Sequence, residues 1–134
     1  MADGFEDQEW VKLGVAAALA KEYQADQRSL LPLLADTFER SFPGNVQKRT
    51  KGMFGAKHLV SVEIALGDFV FAIEDPGSGS LVASRKRMVR GIALKTETIS
   101  MAECLQQLGD VLEENARTSA ETHNALARSL GLQQ

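Results

Sequence analysis

Three side chains in this sequence have nucleophile or base chemistry of their own: Cys104, His58 and His123. Nucleophilic catalysis needs a nucleophile held beside a base, and zinc binding needs His and Cys in closely spaced pairs. One Cys and two His scattered over the chain satisfy neither pattern. Cys104 precedes Leu105 on the apolar side of a predicted helix, where a small thiol packs as a hydrophobe. His123 is expected to face solvent, and His58 falls at the start of a predicted strand. Glu74 and Asp75 are adjacent carboxylates, but neighbours on a strand point to opposite faces. Asp110, Glu113, Glu114 and Glu121 share one helix without a second ligand-bearing helix, so they read as a solvated acidic face. Pro76-Gly-Ser-Gly-Ser80 lacks the Gly-Lys-Ser/Thr that follows a phosphate cradle and is a turn. No catalytic, cofactor-binding or metal-ligating residue is assigned, and the chain is read as a non-enzyme.

Charge is the more informative chemistry. The 134 residues carry 15 Lys and Arg against 18 Asp and Glu, a net −3. That total conceals a segregation: residues 1–39 sum to −5, residues 40–95 to +6 and residues 96–134 to −4. The basic block falls in two clusters, with Lys48, Arg49 and Lys51 in one and Arg85, Arg87 and Arg90 in the other. On adjacent strands facing solvent they would attract a phosphate backbone or an acidic partner. The plainer reading is that exposed strands need polar residues, and that cations discourage edge pairing. Phe54 alone among the aromatics lies near the basic residues, so stacking on bases is poorly supported.

The elements that must position these residues follow from hydropathy. Glu9 to about Gln24 reads as a helix, apolar on most sides, after a disordered tail over residues 1–8. Trp10, Leu13, Val15 and Leu19 are the candidate interaction surface on it. Ser29 to about Arg40 is a second helix with Ser29 as N-cap and Pro32 in its first turn, ended by Phe42-Pro43-Gly44-Asn45. Val46 to Phe54 is a weak strand interrupted by Gly52. Leu59–Leu66 and Phe69–Ile73 alternate with period two around Gly67-Asp68, which predicts a hairpin with a type II′ turn. Leu81–Ser84 and Met88–Lys95 are the next strand candidates. Ser100-Met-Ala-Glu103 has the form of a capping box, in which the serine caps the backbone and the glutamate reaches back. The helix it opens has an apolar stripe through Met101, Leu105, Leu108, Val111 and Leu112. Beyond Asn115 the stripe thins, so residues 117–134 form either a projecting helix or a separate short one.

The run from Val89 to Ile99 leading into that capped helix resembles small bacterial α+β proteins of uncharacterised function, over Leu30 to Leu130. The resemblance brings no site residues. One α+β domain is expected: two N-terminal helices, an antiparallel meander of four or five strands, and a long C-terminal helix on the sheet. The length suits a single domain, and 44% apolar residues suit a folded one. One Cys forms no internal disulfide, the acidic N-terminus lacks the basic region of a signal peptide, and no apolar run approaches the roughly 20 residues that span a bilayer. A cytoplasmic location without membrane contact is therefore expected. The expected role is a non-catalytic protein-interaction module, chaperone-like or an adaptor, that forms a homodimer and needs no cofactor. The alternative is binding of nucleic acid or another polyanion through the basic sheet.

Overall fold

A computed structural model describes residues 2–52, 55, 57–77 and 79–129, with side chains described from residue 14 to residue 120 within those ranges. Its elements run α1 (Ala2–Ala25), α2 (Gln27–Ser41), β1 (Val46–Lys51), β2 (His58–Leu66), β3 (Phe69–Glu74), β4 (Val82–Val89), β5 (Ile92–Ile99) and α3 (Met101–Ser129). The five strands form one antiparallel meander in the order β1-β2-β3-β4-β5. The α+β class, the two leading helices, the sheet and the long closing helix are as the sequence predicts.

Helix α1 begins at Ala2, where the sequence reading set a tail over residues 1–8. The helix is broken at Gly14, whose φ of 80° and ψ of 160° are not helical. The turn that resumes at Val15 needs a new cap, and α3 supplies it: Val15 N–H donates to Glu113 Oε1 at 2.6 Å. Two residues beyond the break, α1 crosses α3 closely. A Cβ added to Gly109 would lie 2.5 Å from Ala16 Cα.

Helix α2 starts two residues before the predicted cap. Asp26 is the N-cap, accepting from Arg28 N–H at 3.1 Å and Ser29 N–H at 3.4 Å, because its short carboxylate reaches two free amides at once. Ser29 instead donates its hydroxyl to Glu22 Oε1 at 2.7 Å and bridges to α1. Pro32 therefore lies inside the helix rather than in its first turn. Its missing N–H leaves the carbonyl of Arg28 to solvent, on a side where both residues are exposed.

One sheet face packs on the helices. Val62, Ile64, Phe71, Ile73, Ala83 and Ile99 meet Leu19, Leu30, Leu31, Leu34, Phe38, Leu105, Leu108 and Leu112 in one core. The β2–β3 turn is at Gly67-Asp68 with φ of 60° at Gly67 alone, as a type II′ turn requires. The next hairpin differs from expectation. Arg85 to Arg87 is strand as well, and the turn comes at Arg90-Gly91, both with positive φ (53° and 80°), the signature of type I′. A run of three cations looks like a loop, but here each has a place on an alternating strand.

Helix α3 is continuous to Ser129, and residues 130–134 of the tail lie outside the described residues. Ser100 Oγ accepts from Glu103 N–H at 3.0 Å, which is the cap, whereas the Glu103 carboxylate turns forward to accept from Gln107 Nε2 at 3.2 Å. Every residue from Ala116 to Ala120 is exposed, so α3 leaves the sheet behind there. No described helix is long and apolar enough to cross a membrane.

Candidate interaction surface

The residues singled out from sequence separate in space. Of the α1 set, Leu19 is 1% exposed and belongs to the core, and Val15 is half-buried against it. Leu19 therefore offers nothing to dock on, because α2 and α3 already cover the face of α1 that carries it. The side chains of Trp10 and Leu13 lie outside the described residues, as does that of His123.

The two basic clusters are not on adjacent strands: β1 and β4 are separated by β2 and β3. Nor does the first cluster keep to one face. Cross-strand rows place Arg49, Ser61, Glu74 and Val82 on the sheet face away from the helices, and Lys48, Val62, Ile73 and Ala83 on the helix side. Arg85 lies on the helix side too. It donates from Nη1 to Gln107 Oε1 at 2.9 Å and from Nη2 to Glu97 Oε1 at 2.7 Å, and stacks 4.8 Å over the Phe69 ring. With these partners Arg85 ties the sheet to α3 and is not available to an external anion. Its hydrogen bond, then its charge, holds the Glu97 carboxyl below the ordinary value of 4.5. Lys48 is likewise engaged, 2.7 Å from Glu39 on α2.

On the uncovered face, Arg49 and Lys86 are interleaved with Glu63 and Glu74. A depression of about 340 Å³ is lined by Gln47, Lys48, Arg49, Ser61, Glu63 and Glu74, and another of about 370 Å³ sets Arg49 and Lys51 beside Glu74 and Asp75. This face is of mixed sign rather than cationic. The chemistry-bearing residues are also dispersed: His58 is exposed at the start of β2, and Cys104 is wholly buried, with burial pushing its thiol up to about 12. Such a thiol stays protonated and shielded at neutral pH. No group of three or more potential metal ligands occurs among the described residues.

What the sequence reading missed is the β4–β5 hairpin. Among the described residues the exposed large apolar ones are Val82, Val89, Ile92 and Leu94, at 46%, 37%, 64% and 59% exposure, and all four are on β4 and β5. Phe69, the first residue of β3, pairs with Arg87, and Met88 N–H still reaches Asp68 O at 2.6 Å. Val89 to Leu94 extend past that last attachment. The hairpin end thus combines Val89, Ile92 and Leu94 with Arg87, Arg90 and Lys95, all exposed. Arg90 keeps a left-handed backbone there that a non-glycine residue adopts at a cost of about 1 kcal/mol or more. The sequence signal was present in Arg90-Gly91 between Val89 and Ile92, but Arg is not a usual first residue of this turn.

No family model, no curated protein and no solved structure matches this chain.

Proposed function

We propose that this protein is a non-catalytic, cytoplasmic protein-interaction module, an adaptor or chaperone-like subunit that self-associates, and that it engages its partners through the β4–β5 hairpin. The observation that carries this reading is that, among the described residues, three of the four exposed large apolar side chains, Val89, Ile92 and Leu94, lie together at the end of that one hairpin. Scattered surface apolar residues are normal, whereas a cluster rimmed by charge on a protruding element favours association with protein. Removing Ile92 and Leu94 from water supplies the affinity. Arg87, Arg90 and Lys95 around them favour acidic partners by long-range attraction.

The polyanion alternative is weaker. It calls for one continuous cationic face, and the cations of β1 share their depressions with Glu63, Glu74 and Asp75.

A photo-crosslinking residue at position 92 tests the proposal in the native cell. A discrete protein adduct is expected there and not from the same residue at exposed Asp36 on α2. Equal labelling at both positions, or none at 92, would sink it.

A further inference from the structure

The meander has two free edges, and they differ in what they can pair with. Edge strand β1 carries Lys48, Arg49 and Lys51 within six residues, so antiparallel pairing with itself about its middle, at Lys48 or Arg49, sets cation against cation. Edge strand β5 carries Lys95-Thr96-Glu97, which is complementary to itself when reversed. Its residues Ile92 to Thr96 and Thr98 are exposed.

We infer that a second copy of this chain pairs antiparallel along β5 about a two-fold axis at Thr96, joining two five-stranded sheets into one of ten. Charge selects the register. With Thr96 facing its own copy, Lys95 opposes Glu97 of the other chain, twice. Shifting the centre by one residue, to Lys95 or to Glu97, sets like charges face to face, which destabilises a strand pair. In the favoured register the helix-side row reads Arg85, Glu97, then Lys95 and Arg87 of the second copy, so Glu97 lies between two cations. The register shift between Arg87 and Met88 bends the hairpin end away, which confines the pairing to Leu94–Thr98. So short an interface implies a dimer that dissociates on dilution, with Kd on the order of micromolar or weaker. Two-fold pairing also closes the assembly: both β5 edges are consumed, and the β1 edges left outside repel further copies.

This inference rests on the β4–β5 hairpin being the interaction element, and its test separates the two. Sedimentation of the full chain from about 1 µM to about 1 mM should show a reversible monomer–dimer equilibrium across that range. Lys95→Glu places carboxylate opposite carboxylate across the axis, yet within its own chain the new Glu faces Arg87, so the monomer stays folded. Its Kd should rise by roughly tenfold. Register is read by cysteine placement: Thr96→Cys should form an intermolecular disulfide on mild oxidation, and Thr98→Cys, which would face Leu94, should not. Buried Cys104 stays out of both reactions. A chain that is monomeric to the highest concentration overturns the inference, as does a dimer indifferent to Lys95→Glu or one in which Thr98→Cys crosslinks as readily as Thr96→Cys. A monomer that still yields the position-92 adduct with another protein would leave the interaction-module reading standing without the self-pairing.

Discussion

The α1–α3 crossing and the β4–β5 hairpin both bring glycine and apolar residues to a surface, with opposite results. At the crossing, Gly109 lets the backbone of Ala16 approach to within 2.5 Å of where a Cβ would sit, and Glu113 caps the helix that resumes at Val15. At the hairpin, Gly91 and Arg90 turn the chain outward, and Val89, Ile92 and Leu94 find no cover within the monomer. Small residues and a correctly placed carboxylate close one surface. The other stays open because it extends beyond the strand that would have supported it. Stability should therefore reside in the helix layer, and association in the hairpin.

The comparison is broken most severely in the core. Phe38 is fully buried and stacks on Phe42 at 5.9 Å between ring centroids, so Phe38→Ala should cost about 3 to 5 kcal/mol in chemical denaturation. Gly109→Ala tests the crossing itself. The added methyl meets backbone atoms that do not rotate away, so a loss of about 1 to 3 kcal/mol is expected although alanine is the better helix former. A gain in stability would show that the crossing is loose. Next comes the buried thiol. Cys104 is held up to about 12 in the folded chain against an ordinary 9.0, so unfolding favours thiolate above pH 9. The stability it contributes is fully present below pH 9 and falls by about 1.4 kcal/mol per pH unit from there toward 12. Cys104→Ala should remove that part of the slope in pH-dependent denaturation.

Much of the fold was readable because it is local. Ser100 and Glu103 mark the α3 start, the stripe from Met101 to Leu112 marks its buried side, and Gly67-Asp68 with alternating neighbours marks a hairpin. What was not readable depends on pairs distant in sequence. A glycine within a helix, as at Gly109, signals close approach but does not say that Ala16 makes it. Leu19 is apolar in an apolar helix, and its burial depends on where α2 and α3 lie. The basic clusters were separable only by strand order, since the interval between Lys51 and Arg85 is compatible with β4 lying beside β1 or apart from it. The hairpin end was hidden by Arg90, because positive φ is ordinarily announced by Asn or Gly.

That backbone makes the first prediction on the open side. Arg90→Asn should stabilise the chain by about 0.5 to 1 kcal/mol, since Asn adopts left-handed φ more readily, while removing one cation from the rim. A destabilised Arg90→Asn variant would mean that the arginine side chain holds the turn.

The smallest stability effect separates the two regions most clearly. Ile92 and Leu94 are already more than half exposed, so replacing both with Ser gives up little that folding had buried. Thermal unfolding of this double variant should lie within about 0.5 kcal/mol of the parent. Association should respond instead, because those two side chains are the apolar area that a partner would remove from water: the dimer fraction of the double variant should fall, and so should the position-92 adduct of a Leu94→Ser chain. If stability dropped by as much as at Gly109 and association did not change, the hairpin would be a part of the core and not the open half of the molecule.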